Sequence, residues 1–192
     1  MSSVNGIYDF AFRGQMAEQA LDREGRPHPR PGLLDEDIAE RVSLHQLDDV
    51  FVEQARRMAT VYTAIAAFEN TVRDLVSRVM LEEAGADWWD TKVSSGVKTK
   101  AKKRQEEEAK HRFHTQRGDD PISFIDFGDL LNIMRANEAA FAPFWPSPEW
   151  ARGIFDAVER SRNVIMHSGV LDPEDIERVG MNIRDWVRQV GA

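Results

Sequence analysis

The sequence predicts an all-α fold, a bundle of four to six helices with an irregular N-terminal arm. Apolar residues recur at spacings of three and four over a long stretch from His45 to about Glu83, which is helical periodicity. Ser147 and Asp172 each precede a proline and an acidic residue, a pattern typical of helix starts. No segment alternates apolar and polar residues as a strand does, so helices packed around one core are expected.

Composition limits the class of protein. The chain has 192 residues, of which 42% are hydrophobic and 30% charged, so it suits one globular domain with a modest extension. It has no cysteine, which excludes disulfides, thiol nucleophiles and thiolate metal sites. No basic-then-apolar leader and no apolar run of about 20 residues occur, so we expect no export signal, no membrane partner and a cytoplasmic location.

The first 45 residues contain few large apolar side chains and the proline-rich stretch 26–32. Proline fixes φ and removes a backbone donor, which disfavours a regular element in this stretch. The sequence therefore predicts an arm over 1–45, with a short helix at about 35–42 left open, and a helical domain over 46–192.

The first long helix carries its apolar stripe at Met58, Tyr62, Ile65, Val72, Val76 and Val79. Glu69 falls almost in line with this stripe, where an unpaired carboxylate is costly to bury. Its candidate partners are Arg73, one turn later, and Arg162 from another helix. The alternative to a functional role for Glu69 is an ion pair within the helix, at a kink or at its edge. Gly85 is expected to end the helix.

A basic segment occupies 92–117, where nine Lys and Arg stand against three Glu, a local balance of +6 in a chain of net charge −8. The negative total argues against loose binding of nucleic acid, whereas the segment itself is suited to contact phosphates. The alternative is a solvated helix or mobile insertion over 98–112 with almost no apolar face. The predicted RNA-binding residues are Lys98, Lys100, Lys102, Lys103 and Arg104.

Two neighbouring features have alternative interpretations. Trp88 and Trp89 are interpreted either as stacking platforms for bases or as core residues beside a helix end. Glu107, His111 and His114 have helical spacing suited to a metal, but a solvated charged face explains them as well. We expect no metal and no cofactor.

Three further helices complete the predicted bundle. An apolar rhythm over Pro121 to Phe144 predicts one core helix. The next helix begins after Ser147 and runs to about His167, where Gly169 ends it, and the last runs from Pro173 to Gly191.

The helix that ends near His167 carries the residues most suited to chemistry. Its predicted stripe is Trp150, Ile154, Val158 and Ile165, with Ser161. At 100° per residue, Arg162 lies about 70° from the centre of this stripe, and Asn163 and His167 lie about 150° or more away. His167 should therefore point away from the core. Imidazole transfers protons near neutral pH and guanidinium holds phosphate oxygens, so these side chains are suited to phosphate chemistry. The alternative is a capped helix end with a cation near the negative end of the helix dipole.

Arg162-Asn163-x-x-x-His167, together with Glu69-x-x-x-Arg73, resembles the HEPN superfamily over residues 46–190. Members of this family are four- or five-helix bundles with such a motif near the end of a late helix. Asp87-Trp88-Trp89 and the segment 124–130 are similar to a subgroup associated with RNA-surveillance nucleases and bacterial defence loci.

The resemblance implies a metal-independent endoribonuclease that uses the 2′-hydroxyl of RNA as nucleophile, in defence or a toxin-like response. It implies His167 as general acid or base, Arg162 as stabiliser of phosphorus-centred charge and Asn163 as an orienting group, with Glu69 and Arg73 completing the site. The implied partners are RNA, a second copy of the chain, and an antitoxin or larger defence complex. A non-catalytic module for dimerisation or for binding RNA or a partner is the alternative, and a nucleotide-binding role lacks a glycine-rich phosphate loop.

Overall fold

The computed structural model describes residues 35–191, and every regular element in that range is helical, which confirms the all-α prediction. The arm residues before 35, including the proline-rich stretch 26–32, lie outside this range. The described helices are α1 Asp35–Arg41, α2 Asp49–Ala84, α3 Trp88–Lys92, α4 Ser95–Ala109, α5 Phe127–Ala136, α6 Glu138–Phe141, α7 Pro148–Met166 and α8 Pro173–Val190, with 3-10 turns at Leu44–Gln46 and Pro121–Phe124.

These eight helices exceed the predicted four to six because α3 and α6 are short helices of five and four residues. The chain divides at residue 48 into two compact units. The first contains the 3-10 turn Leu44–Gln46 and α1, which lies where the sequence left a short helix at about 35–42 open. The second contains α2 to α8 and carries the candidate site. In the described part of the chain, no helix is both long and apolar enough to cross a membrane.

Helix α2 begins four residues later than predicted because a 3-10 turn occupies Leu44–Gln46 and the next residue, Leu47, has an extended backbone. Its predicted end is confirmed: Gly85 has a φ of 74°, and its N–H donates to the carbonyl of Leu81 at 2.9 Å. The predicted apolar stripe is buried except at Tyr62, which is exposed. Including Tyr62 in the core was therefore wrong, and its ring borders a cleft described below.

Four aromatic rings form the centre of the core, one each from α2, α5, α7 and α8: Phe68, Phe127, Phe155 and Trp186. Their closest ring centroids, those of Phe155 and Trp186, are 5.0 Å apart. Trp150 at the start of α7 stacks on Trp186 with centroids 5.6 Å apart. This aromatic cluster fixes α7 against α2 and so sets the position of Arg162 relative to Glu69.

The core helix predicted within 121–144 is present as α5, but it occupies only part of that range. Pro121 opens a 3-10 turn that ends at Phe124, and Asp126 begins α5 by accepting the Asp129 N–H with its side chain at 3.1 Å. Asn137 then ends α5, and α6 follows as one further turn. Polar capping groups inside the apolar rhythm therefore divide it into three elements.

The basic segment is also better packed than predicted. Helix α4 starts at the Ser94 cap and buries Val97 and Ala101, and it contacts the 3-10 turn Pro121–Phe124. It is therefore a docked helix with a narrow apolar face. Trp88 is buried and Trp89 is half-buried, with their rings edge to face at 5.5 Å, so both are engaged in packing.

Helices α7 and α8 begin as predicted, since Ser147 accepts the Trp150 N–H at 3.2 Å and Asp172 accepts the Asp175 N–H at 2.9 Å. The end of α7 differs in detail. Ser168, with a φ of 61°, occupies the left-handed position, while the Gly169 N–H donates to the Val164 carbonyl at 2.8 Å. This is the Schellman arrangement of hydrogen bonds, placed one residue earlier than Gly169 suggested.

Candidate active site

Glu69 lies among cationic side chains, as its sequence position predicted. Only 14% of its side chain is exposed, and it forms an ion pair with Arg73, whose side chain is 17% exposed. Its other carboxylate oxygen lies 3.8 Å from Nε of Arg162 on α7. Both predicted partners therefore reach the same carboxylate, which satisfies the requirement for a counter-charge at a half-buried position.

Arg73 is fixed by the backbone as well as by Glu69. Its Nε donates to the Ile122 carbonyl at 3.2 Å and its Nη2 to the Ile125 carbonyl at 2.7 Å, while Nη1 donates to Asn70 at 3.3 Å. Both carbonyls belong to the segment that joins α4 to α5. Arg73 therefore anchors that segment to α2, and its hydrogen-bonding capacity is largely used within the protein.

Arg162 lies closer to the core than the sequence predicted. The buried face of α7 consists of Ala151, Ile154, Phe155 and Val158. At 100° per residue its centre lies about 30° from Arg162 rather than about 70°. The guanidinium therefore turns toward α2 and Glu69. Its side chain is still 37% exposed, and its Nη1 donates to the Asn163 side chain at 3.4 Å.

A cleft of about 510 Å³ opens beside this cluster. Its lining residues come from α2, α7 and the segment 117–123: Tyr62, Ala66, Glu69, Asn70, Arg73, Arg117, Ser123 and Arg162. Three guanidiniums and one carboxylate line the cleft, and Arg117 is also paired with Glu108 outside the lining, so one positive charge is left in excess. A cavity of this composition is suited to an anionic group.

His167 and Asn163 lie on the opposite side of α7 from its buried face. His167 is the residue that caps the helix, its N–H donates to the Asn163 carbonyl at 3.2 Å, and both side chains are exposed. The predicted outward orientation of His167 is confirmed. In the part of the chain that is described, neither residue borders the cleft, so one chain does not bring Arg162 and His167 to a common cavity.

Glu159 is a titratable residue near the cleft that the sequence did not single out. It lies one turn before Arg162, and burial, followed by the charges of Asp126 and Asp156, raises the pKa of its carboxyl above the ordinary value. Arg162 opposes this shift. The three-residue spacing to Arg162 is the signal that could have identified it.

The five predicted RNA-binding residues do not form one free surface. Lys100 pairs with Asp129 at 2.8 Å, and Arg104 donates to Asp126 at 3.0 Å and to the Phe124 carbonyl at 2.8 Å. These bonds attach α4 to the start of α5. Of the others, Lys98 donates to the Asp90 carbonyl, Lys102 lies near Glu106, and Lys103 is exposed.

The alternative metal site does not form. Glu107 pairs with Lys110, and the helix ends before His111 and His114, which lie in the following loop. Across residues 35–191, no group of three His, Asp or Glu side chains is arranged to hold a metal ion.

Comparisons of the chain with models of known protein families, with curated proteins and with solved structures found no match. The family resemblance therefore stays an expectation based on the residues themselves. Any functional conclusion depends on the geometry around Glu69, Arg162 and His167.

Proposed function

We propose that this protein is a metal-independent endoribonuclease of the HEPN type, acting in defence or a toxin-like response. The observation that supports this best is the placement of Arg162, half-exposed beside Glu69 at a cationic cleft, on the same helix that presents His167 to solvent. Control by an antitoxin or a larger complex belongs to the same proposal.

The proposed reaction needs only groups that RNA and the protein supply. The 2′-hydroxyl loses its proton to a base and attacks the adjacent phosphorus, and the bond to the 5′-oxygen breaks as that oxygen gains a proton. The products are a cyclic 2′,3′-phosphate and a 5′-hydroxyl. His167 serves as the general acid or base, and Arg162 stabilises the charge that develops on the phosphate oxygens. Asn163, 3.4 Å from Arg162, orients the guanidinium.

Two copies of the chain are needed to complete this site. Arg162 and His167 are separated by about 140° around α7, so their side chains diverge on one helix. A second copy that packs on the His167 side brings its own motif to the same place. Exposed apolar residues near His167, namely Val164, Met166 and Val170, provide contact surface for such packing.

The decisive experiment incubates mixed RNA with purified protein in excess chelator. Arg162→Ala and His167→Ala should each reduce cleavage by about 100-fold or more, because each removes a group that acts in the transition state. Arg188→Ala is the matched control, since Arg188 is an exposed arginine on α8 and does not line the cleft. Fragments from the wild type should end in a cyclic phosphate and a 5′-hydroxyl.

Intact RNA after incubation with the wild type, or equal cutting by all variants, rules out the enzymatic proposal. Size in solution tests the second candidate, a non-catalytic module that dimerises or binds RNA or a partner, which the exposed Val164, Met166 and Val170 favour. A dimer that leaves RNA intact supports that candidate, whereas a strict monomer that cleaves RNA contradicts the two-chain site.

A further inference from the structure

The loop after α4 is held in a defined shape by one carboxylate. Glu108 contacts Nε of Arg117 at 2.6 Å with one oxygen and accepts the Arg117 backbone N–H at 3.2 Å with the other. The Arg117 guanidinium also lies over the Phe124 ring, 5.7 Å from its centroid. Residues 109–116 are therefore closed into a loop whose two ends meet beside the body of the domain.

This loop presents an aromatic ring to solvent. Phe113 is 89% exposed, and the His111 ring meets it edge to face at 6.0 Å. A second concavity of about 520 Å³ lies here, bordered by Phe113, Arg117 and both loop histidines. Packing within the domain does not account for Phe113, because so little of its surface is covered. An exposed ring in a concavity that an arginine also borders is suited to stack on a nucleobase.

Arg117 borders this concavity and also the cleft that contains Arg162. The two cavities therefore share Arg117, with Arg162 lining one of them and Phe113 the other. A polynucleotide carries charged phosphates next to flat bases, the two kinds of group that arginines and an aromatic ring bind. A base must leave its helical stack to lie on a ring, so the arrangement favours an unpaired strand over a duplex.

We infer that Phe113 and Arg117 form a binding track for single-stranded RNA that leads into the Arg162 cleft. Phe113 stacks on a base and Arg117 binds the phosphate between that base and the cleft. The choice of RNA as ligand rests on the proposed function. The track assigns a role to the end of the basic segment that does not depend on Lys98 to Arg104.

Binding is best measured by fluorescence anisotropy with the full chain and a labelled RNA of about ten nucleotides. Its 2′-hydroxyls are methylated, so that it cannot be cut. Phe113→Ala should raise Kd about ten-fold, the loss expected for one stacked base. Phe113→Trp keeps an aromatic ring and should bind as tightly as the wild type. Val187→Ala, which truncates an exposed apolar side chain on α8, is the matched control and should leave Kd unchanged.

Salt dependence separates the two roles. Arg117→Gln should lower the slope of log Kd against log salt by about 0.7, the value for one phosphate contact on a single strand. Phe113→Ala should leave that slope unchanged, because stacking involves no counterion. Arg188→Gln on α8 is the charge-matched control, and thermal unfolding of Arg117→Gln checks that the loss of its contact with Glu108 has not unfolded the domain.

The track is wrong if Phe113→Ala binds as the wild type does, if duplex RNA binds as tightly as the single strand, or if no RNA binds. Cleavage of ordinary RNA by the wild type, abolished in His167→Ala, would leave the proposed function standing in each of these cases. Conversely, RNA binding that depends on Phe113 without any cleavage supports the track and contradicts the nuclease.

Discussion

Two ion clusters join helices of this domain, and they use charge differently. The cleft cluster consists of Glu69, Arg73 and Arg162, so two guanidiniums share one carboxylate. It borders an open cavity that a third guanidinium, Arg117, also faces. The carboxylate of Glu69 therefore neutralises only part of the positive charge of the cleft cluster.

The docking cluster consists of Lys100, Arg104, Asp126 and Asp129, and its charges balance. Asp129 is 1% exposed, and Lys100 is the partner that neutralises it. This cluster attaches α4 to α5 and leaves no excess charge. The comparison indicates that cationic residues on the basic segment need not bind nucleic acid, whereas the cleft cluster retains charge for an anionic ligand.

The largest expected effect on stability comes from Glu69→Ala. The change leaves two half-buried guanidiniums without their carboxylate, which should lower the free energy of unfolding by about 2–4 kcal/mol. Denaturant unfolding measures it, with Glu82→Ala as the control at an exposed position of the same helix. Equal losses in the two variants would show that Glu69 is not the centre of the cleft cluster.

A smaller effect should follow from Lys100→Ala in the docking cluster. Asp129 then stays buried without its ammonium partner, but Lys100 itself is largely exposed, so a loss of about 1–2 kcal/mol is expected. Lys102→Ala, two residues later, removes only a solvent-exposed pair and should cost less than about 0.5 kcal/mol. If the two variants lose the same stability, the docking role of Lys100 is refuted.

The smallest effects concern two carboxyls whose pKa values shift in opposite directions. Burial opposes ionisation of Asp126, but hydrogen bonds from Arg104 and the Asp129 N–H outweigh it and lower its pKa below the ordinary 3.8. Its contribution to stability is therefore present above pH 3.8 and is lost as the pH falls through the lower folded value. Burial raises the pKa of Glu159 above 4.5, so its contribution is present below pH 4.5 and is lost as the pH rises through the folded value.

The free energy of unfolding, measured at pH 7 and below pH 3.8, tests the directions of both pKa shifts with one pair of variants. Asp126→Asn should destabilise the protein at pH 7 and lose this effect in acid. Glu159→Gln should stabilise it at pH 7 and lose that effect below about pH 4.5. Variants that respond to pH in the same direction would contradict the assignment of Asp126 and Glu159 to different electrostatic environments.

Local signals in the sequence predicted much of the fold. Gly85, Ser147 and Asp172 mark helix boundaries because the groups that cap a helix lie within a few residues of its end. The docking of α4 was not predictable in this way. It depends on Lys100 and Arg104 meeting acidic residues more than twenty positions later, and local periodicity carries no information on such contacts.

The sequence also predicted the candidate site only in part. Glu69 in an apolar stripe required a partner, and the sequence offered the two arginines that the structure brings to it. The angle of Arg162 was misjudged because Ala151 and Phe155 widen the buried face of α7. Phe113 and Arg117 were not identified because they lie in a loop, where no periodicity marks which side chains meet.

The turn after His167 restricts the residue type at positions 168 and 169 to different extents. A Cβ on residue 169 would lie 2.6 Å from the Val164 side chain and 2.8 Å from its carbonyl oxygen, so glycine alone fits. Residue 168 has open choice among residues that accept a left-handed backbone, such as asparagine and glycine. Variation among natural descendants of this chain is therefore expected at 168, while 169 stays glycine for as long as the turn beside His167 is kept.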